Sequence, residues 1–270
     1  MKQLAFSFRR HLRIYKHILS FTAKYMMAYR VSFFIRSLHN IFYVATFFIV
    51  TLVIYQHTSV LGGWVKDEAI LLFSLVHITY GIQLFLFMRG VEEFMRLRIK
   101  SGDFDLDLLK PVNSQFMAFF RTPWIDSVIF TLIVLILFIR QTLILSHQIS
   151  LTSFISFVVS YLLCLIIWYL VLVSYATVSF YVTKSEQVIY FIEKASDFAQ
   201  YPTNIFPKVI QQAFLTILPI AFVAYVPSSI LLGKDVQKMW TMILIILPIS
   251  FIINKIAWRE GLKRYSSASS

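Results

Sequence analysis

Long apolar runs alternate with short charged clusters along the chain, and this pattern predicts transmembrane helices. A charged side chain at mid-bilayer costs about 2.5–3.5 kcal/mol even on lenient scales, so windows without charge mark the spans. At about 1.5 Å of rise per residue, roughly 20 residues cross the hydrocarbon core. The windows place five spans at residues 31–55, 69–89, 124–145, 151–181 and 239–257.

The segment between the fourth and last of these spans has two interpretations. Residues 190–200 are only half apolar and contain Glu193, Lys194 and Asp197, whereas residues 209–232 are apolar but broken by Pro219 and Pro227. In the first interpretation, residues 188–201 form an interfacial cytoplasmic helix and residues 209–231 cross the membrane. In the second, residues 184–203 are the fifth span, and residues 205–231 dip back as two short helices hinged at a proline. Both interpretations give six crossings.

Composition agrees with a lipid-embedded chain of the all-α class. The chain has 270 residues, of which 59% are hydrophobic, and its mean hydropathy is +0.74. Ordinary soluble domains are about 45–50% apolar, so a water-soluble fold could not hide this much apolar surface. We expect a polytopic protein with six transmembrane helices, in which residues 1–30 form a separate interfacial helix and residues 31–270 one transmembrane domain.

The net charge of +12 lies at the ends of the apolar runs. The first 36 residues carry eight Lys or Arg and no acid, residues 89–126 carry six, and the tail after residue 254 carries four. The loops between them carry few: Lys66 is the only basic residue at 56–69, and residues 234–238 have two. The positive-inside rule then puts both termini in the cytoplasm and favours contact with anionic lipid over nucleic acid. The first apolar stretch comes too late for a cleavable signal, so we expect the N-terminus to be retained.

The N-terminal segment has the pattern of an amphipathic helix lying along the membrane. Its apolar stripe is Phe8, Leu12, Tyr15 and Leu19. Its polar side is Arg9, Arg10, Arg13, Lys16, His17 and Lys24. The alternative is a solvated helix whose charges only set the topology.

The segment after the second span predicts two short helices. From Arg89 to Lys100, one face is apolar, with Val91, Phe94, Met95 and Ile99. Another face carries an i, i+4 ladder of charged residues, Glu92, Arg96 and Lys100. We expect Gly102 to end the first helix and Asp103 to cap a second, which Pro111 ends. A rigid element of this kind could be gripped by a soluble partner, and the alternative is an ordinary cytoplasmic loop.

The residues that enzymes need are not grouped in this sequence. There is no phosphate-binding G-x-x-x-x-G-K-[ST] loop among the seven glycines. The six histidines lack metal-ligand spacing, and we expect His39 and His77 to pack between helices. Cys164 is the sole cysteine, so no internal disulfide can form. We expect no cofactor, metal or catalytic site in this chain.

Four blocks make the chain resemble the ABC-2 type permease family, in particular its small bacterial branch. They are Tyr29-Arg30 before the first span, the block from Gly102 to Val112 with its G-x-x-D-x-x-L-x-x-P pattern, Tyr201-Pro202 with Phe206-Pro207, and the pair Pro219 and Pro227. The order covers nearly the whole chain, and the middle block is the most specific. Charges at 193–197 are more than a short fifth span should hold, which leaves its boundary open.

The resemblance implies the transmembrane subunit of an ATP-binding cassette exporter in a bacterial cell membrane. It implies a dimer with a second copy or a paralogous permease, and separate cytosolic ATPases that carry ATP and Mg²⁺. Residues 92–111 would then hold the coupling helix. Its contact residues would be Glu92, Arg96, Gly102, Asp103, Asp105, Leu108, Lys110 and Pro111. The resemblance also favours the second interpretation of the fifth span, with Tyr201, Pro202, Pro207, Pro219 and Pro227 near the translocation path.

Two other classes of protein remain open from the sequence. A secondary transporter or channel driven by an ion gradient would use intramembrane charges, and Glu193, Lys194 and Asp197 are the residues that favour it. An integral membrane enzyme acting on lipids would need a catalytic constellation that we do not find. The transported substrate cannot be read from these residues.

Overall fold

The computed structural model describes residues 2–182 and 184–266, and for residues 2–8 only the backbone. Residues 267–270 lie outside the described residues. The described chain is helical apart from one small β-hairpin and its connections. The fold class is therefore all-α, as the apolar runs predict.

The N-terminal part consists of three long helices and the hairpin. Their bounds are α1 Lys2–Ala28, α2 Arg30–His57, β1 Val60–Leu61, β2 Trp64–Val65 and α3 Lys66–Leu86. The hairpin turns at Gly62 and Gly63, whose φ angles of 58° and 80° suit glycine. Tyr29 separates α1 from α2 without a side-chain cap.

Short helical pieces follow α3 and form the segment that the sequence marks as distinctive. They are α4 Met88–Glu93, a π-helical turn Phe94–Arg98, α5 Ile99–Ser101, α6 Asp105–Leu108 and α7 Ser114–Phe120. We call residues 88–121 the basal segment. Helix α3 ends at Leu86, three residues before the predicted end of the second span at residue 89. The next residue, Phe87, leaves the helical conformation, with φ −151° and ψ −15°.

The remaining chain has three long helices and a broken stretch. The long helices are α8 Ser127–Ile144, α9 Leu151–Ala176 with a 3₁₀ extension Thr177–Phe180, and, after the broken stretch, α13 Val236–Arg264. The broken stretch contains α10 Glu186–Ser196, 3₁₀ turns at Asp197–Gln200, Thr203–Ile205 and Ile220–Val223, and the helices α11 Lys208–Thr216 and α12 Tyr225–Leu231. Trp124 lies before α8 rather than inside it, because a turn through residues 121–126 precedes the helix.

Five helices among the described residues are long and apolar enough to cross a membrane. They are Arg30–His57, Lys66–Leu86, Ser127–Ile144, Leu151–Phe180 and Val236–Arg264. These correspond to five of the six predicted spans, and the predicted fifth span coincides with the short pieces of the broken stretch. The α3 window is 78% buried inside the protein whereas that of α2 is 11% buried, so α3 is the central helix and α2 a peripheral one.

Two ends of the bundle can be told apart by their contacts. At the basal end, Arg36 of α2 pairs with Asp126 (Nε to Oδ2, 3.2 Å), and the basal segment meets the last turns of α13. At the hairpin end, Lys234 pairs with Glu68 (Nζ to Oε2, 2.6 Å) and donates to the Gly63 carbonyl (2.9 Å). Both the start of α2 and the end of α13 thus lie at the basal end.

The broken stretch runs from the basal end to the hairpin end and folds back on itself. It starts at Glu186, which pairs with Lys100 of the basal segment (2.7 Å), and Asn204 donates to the Gly62 carbonyl at the hairpin (3.3 Å). The chain then turns inward, since Tyr175, near the basal end of α9, donates to the Ile217 carbonyl (2.9 Å). It returns through α12 to Gly233.

Helix α1 packs on the end of α3 and on the basal segment through Tyr15, a residue of the predicted apolar stripe, and through His11. Tyr15 donates to the Phe85 carbonyl (3.1 Å), and His11 contacts the Phe116 ring at 4.7 Å. Leu12, expected in the apolar stripe, is 59% exposed, and the Phe8 side chain lies outside the described residues. The basic side chains of the predicted polar face that are described are all exposed.

Candidate functional site

The basal segment is held to the bundle by a buried phenylalanine. Phe104 has no exposed surface, and its ring lies 5.2 Å from Phe94, 5.8 Å from Phe180, 6.0 Å from Trp258 and 5.3 Å from Tyr265. Buried aromatic rings contribute large contact area and favour such edge-to-face pairs. This cluster joins the start of α6 to the ends of α9 and α13, so the turn between α5 and α6 cannot move independently of those helices.

A single buried carboxylate organises the charges of the segment. Asp107 of α6 is fully buried and pairs with Arg98 of the π-helical turn. Its other oxygen, Oδ1, lies 3.2 Å from Lys110 Nζ and 3.5 Å from Arg121 Nη1. Arg98 also donates to the Ala118 carbonyl (3.2 Å). Asp107 therefore ties α6 both to the preceding helix and to α7.

Three basic groups around one carboxylate leave an excess of positive charge. Burial, and then the nearby Arg121, lower the pKa of Arg98 to about 10. Burial, Arg121 and Arg98 lower the pKa of Lys110 in the same way. Arg98 therefore remains charged at neutral pH, and Lys110 and Arg121 bring two further basic side chains to one side of this surface.

The outer surface of the basal segment has three exposed leucines. This segment contains none of the five long apolar helices. Leu109 is 81% exposed, Leu106 58% and Leu108 42%. They lie on or next to α6, between the exposed Asp103 and Lys110. Contiguous exposed apolar side chains with a polar rim typically mark an interaction site.

The predicted charge ladder is not formed, and the winding of the helix explains the difference. Residues 94–98 form a π-helical turn, which shifts the i, i+4 register on which the ladder depends. Lys100 pairs instead with Glu186, and the i, i+4 pair of this region is Arg89 with Glu93 (2.9 Å). The apolar face is confirmed: Val91, Phe94 and Met95 are buried and Ile99 is partly buried.

The structure confirms one predicted helix stop and corrects one predicted cap. Gly102 ends α5 with a left-handed φ of 77°. Asp103 does not cap α6, because Phe104 occupies that position and the Asp103 carboxylate accepts from the Ser101 hydroxyl instead (2.8 Å).

The predicted contact residues differ in their exposure. Arg96, Asp103, Leu108, Lys110 and Pro111 are exposed on the outside of the segment, Asp105 and Gly102 are partly buried, and Glu92 faces α10. Sequence reasoning missed Asp107 and Phe104. Their three-residue spacing, which puts them on one face of a helix, is the signal that could have found them.

The carboxyl groups of Glu92 on α4 and Glu193 on α10 lie close to each other. Burial, and then the neighbouring Glu193, raise the pKa of Glu92 to about 7, whereas Arg96 and Arg89 oppose the change. The folded protein therefore keeps a proton on Glu92 that the unfolded chain, with an ordinary pKa of 4.5, releases. Stability linked to this group is fully present below pH 4.5 and is lost as the pH rises to about 7.

We expect Glu92→Gln to flatten the pH dependence of stability between pH 5 and 8. A neutral amide avoids the charging penalty, so the variant should unfold near the wild-type temperature at pH 5 and be more stable at pH 8, by about 1–3 kcal/mol. Thermal unfolding of the purified protein in detergent measures this. Glu260→Gln, which removes an exposed carboxylate paired with Lys263, is the control and should keep the wild-type slope. An unchanged slope in Glu92→Gln would contradict the assignment.

A polar cavity of about 190 Å³ lies between α2, α3, α9 and α10. Glu193, Lys194 and Asp197 all line it, and Tyr43 of α2 donates to Asp197 (Oη to Oδ1, 2.8 Å). His77 is 3% exposed and packs between helices as expected, with Nδ1 2.8 Å from the Phe73 carbonyl. His39 lines the cavity but is exposed on the surface of α2, contrary to the prediction.

The predicted path residues of the broken stretch do not line this cavity. Pro202, Pro219 and Pro227 are buried, Tyr201 is partly buried and Pro207 is exposed. Each of Pro202, Pro207 and Pro219 precedes a helical turn, where a missing N–H costs nothing. Gln200 and Val223 are the cavity residues nearest to them in sequence.

Comparison with known families supplies the decisive observation. A model of the ABC-2 family transporter proteins matches residues 41–269, which include the basal segment, the cavity lining after residue 40 and the broken stretch. The chain belongs to the ABC-2 transporter family. No curated protein and no solved structure matches the chain.

Membership in the ABC-2 family makes this chain a membrane component of an ABC transporter and not itself an enzyme. Such components work with ABC ATPases. Helix α1 and the Tyr29-Arg30 pair precede the matched residues, so the family match does not bear on them.

Proposed function

We propose that this ABC-2 permease is the transmembrane half of a bacterial exporter whose basal segment docks into a cytosolic ATPase. The observation that carries the proposal is Leu109, which is 81% exposed on a segment fixed to the bundle by Phe104 and Asp107. A protruding apolar side chain on a rigid base suits an apolar groove of a partner. The basic side chains of Lys110 and Arg121, on one side of the leucines, favour acidic residues on the facing side of that groove.

Transmission of force follows from the contacts of the segment. Phe104 contacts Phe180 and Trp258 at the ends of α9 and α13, and Ser185, just before α10, donates to the Met95 carbonyl (2.7 Å). A push by the ATPase on α6 would therefore reach three elements of the bundle together. Rigid-body tilting of such packed helices is a common route between inward-open and outward-open states.

We further propose six crossings with both termini in the cytoplasm, in the bacterial cell membrane. The contacts of Glu186 at the basal end and of Asn204 at the hairpin end support a fifth, short crossing by residues 186–204, with residues 205–231 as the re-entrant part. The basal end carries the dense basic clusters, which the positive-inside rule assigns to the cytoplasm.

A dimer of permeases completes the proposed transporter. Six spans are too few to enclose a large pathway, and α2 leaves an apolar face open, with Phe34, Leu38 and Phe42 exposed. A second copy or a paralogous permease would cover part of that face, and lipid the rest. ATP and Mg²⁺ would bind to the partner ATPase.

We expect Leu109→Asp to weaken the association with the ATPase at least about tenfold, because the aspartate places a charge in an apolar groove. Leu109→Lys should weaken it less if the rim of the groove is acidic. Co-purification of the tagged permease with its partner ABC ATPase, followed by ATP-dependent uptake into inverted vesicles, measures both effects. Val60→Asp, at an exposed apolar position of the hairpin, is the matched control. Unchanged association in both Leu109 variants would overturn the docking role.

The polar cavity favours a second candidate function, an ion-gradient-driven transporter or channel. Glu193 and Asp197 within the bundle are the charged residues that such a protein would use. Transport in proteoliposomes decides between the two: an ABC exporter needs the ATPase and ATP, whereas a secondary transporter responds to an imposed ion gradient alone.

A further inference from the structure

Four exposed basic side chains form a stripe along one side of α1. They are Arg9, Arg13, Lys16 and Lys24, and we call them the basic stripe. A helix turns about 100° per residue, so these positions share an arc of about 80°. At about 1.5 Å of rise per residue, the stripe is about 22 Å long. It is a continuous cationic surface on a single helix.

The basic stripe has no acidic partner in the described part of the protein. None of the ion pairs among the described residues includes its four side chains. The first acidic residue of the sequence is Asp67, so α1 itself carries no counter-charge. The residues that Tyr15 contacts, Phe85 and Phe120, are uncharged. The stripe therefore remains available to an anionic partner.

Helix α1 lies along the basal end of the bundle and does not cross the membrane. Its middle contacts Phe85, at the basal end of α3, and Phe116 of the basal segment. Its last residue, Ala28, is two residues before the start of α2, which also lies at the basal end. Both parts of α1 are thus on the same side of the bundle. A helix in this position lies at the level of the lipid headgroups.

Two hydrogen bonds fix the direction in which the basic stripe points. Tyr15 donates to the Phe85 carbonyl (3.1 Å), and Arg10 donates to the Pro111 carbonyl. Met26, on the same side of α1 as Tyr15, is 5% exposed. This packed side lies about 120° around the helix from the centre of the stripe. The stripe consequently points away from the bundle.

Exposed apolar side chains on both edges of the basic stripe favour lipid as its partner. Leu12 on one edge is 59% exposed, and Phe21 and Tyr25 on the other edge are 72% and 54% exposed. Water or an acidic protein surface would leave these side chains without apolar contacts. The membrane interface accommodates both kinds of group, because apolar and aromatic side chains enter the acyl boundary while cations reach the phosphates.

We propose that the basic stripe binds the headgroups of anionic phospholipids at the basal end of the bundle. Its guanidinium and ammonium groups would donate to phosphate oxygens, while Leu12 and Phe21 enter the acyl boundary. Each Lys or Arg near an anionic membrane surface strengthens binding about fivefold, so several together discriminate strongly against neutral lipid. The contact is made by α1 and does not require the ATPase.

Photo-crosslinking in proteoliposomes tests the proposal. The purified permease is reconstituted in phosphatidylcholine containing a diazirine analogue of either phosphatidylglycerol or phosphatidylcholine, and adducts are mapped on chymotryptic peptides by mass spectrometry. We expect adducts on residues 9–28 to be at least about fivefold more frequent with the phosphatidylglycerol analogue. The combined variant Arg9→Gln, Arg13→Gln and Lys16→Gln should lose most of this excess. High salt should reduce the excess in the wild type, because the charges are exposed.

Two combined variants are matched controls. Arg9→Lys with Arg13→Lys and Lys16→Arg keeps the charge of the stripe and should keep the excess of adducts. The second control removes three exposed basic side chains outside the basal end and should leave the adducts on α1 unchanged; it combines Lys66→Gln, Arg140→Gln and Lys238→Gln.

Equal labelling of α1 by the two lipid analogues would show that the basic stripe does not select anionic lipid. An undiminished excess in the triple glutamine variant would show the same. The unfolding temperature of each variant checks that it is folded, and the salt series on the wild type tests the charge dependence without any substitution. Since no ATPase is present, failure of this test leaves the proposed docking of the ATPase untouched, and failure of docking leaves this result untouched.

Discussion

Replacing Asp107 by asparagine should destabilise the protein by about 3–5 kcal/mol, a magnitude typical of removing one partner of a buried ion pair. The substitution keeps the shape of the side chain but leaves Arg98, whose side chain is 4% exposed, without its counter-ion. Lys110 and Arg121 would then repel Arg98 with no carboxylate between them. We expect a large fall in the unfolding temperature in detergent, together with loss of ATPase association, because α6 would no longer be fixed to α7.

Asp103→Asn is the matched control for this prediction. Asp103 is on the same turn, but it is exposed and accepts only from the Ser101 hydroxyl among its described contacts. Its replacement should change stability by less than about 0.5 kcal/mol, the usual range for surface positions. Equal unfolding temperatures for the Asp107 and Asp103 variants would show that the buried charge cluster is not a structural anchor.

Gly90→Ala should be the second most damaging change, costing about 1–3 kcal/mol or more through overpacking. A Cβ atom at Gly90 would overlap the backbone of Phe119, including its carbonyl oxygen. Since the obstacle is backbone, α4 and α7 must separate, which disturbs the support of the basal segment. Thermal unfolding and ATPase co-purification should both fall.

Gly81→Ala gives a contrast in which the obstacle is a side chain. A Cβ atom there would overlap the Thr131 hydroxyl of α8. We expect Thr131→Ala to recover most of the stability lost in Gly81→Ala, whereas no side-chain change at position 119 should rescue Gly90→Ala. Rescue of Gly90→Ala by Phe119→Ala would refute the backbone explanation.

Much of the basal segment could be predicted from the sequence because its signals are local. The apolar face of Val91, Phe94 and Met95 follows from helical spacing, and Gly102 ends the helix because glycine adopts a left-handed φ freely. The charge ladder failed because it assumes uninterrupted α-helical winding, and the spacing of charges alone does not reveal a π-helical turn. Asp107 was missed because three basic partners, at positions 98, 110 and 121, come together only when three helices pack.

The sequence by itself determined that this protein is an all-α membrane protein, where most of its spans lie, and which family it resembles. These properties depend on the cost of charge in lipid and on helix periodicity, which act over about 20 residues at a time. Only the tertiary structure decided which face of α1 contacts the bundle, how residues 186–231 run, and that Glu193 shares a cavity with Trp168. Those features depend on contacts between residues far apart in the chain, and hydrophobic patterning along one helix does not specify its neighbours.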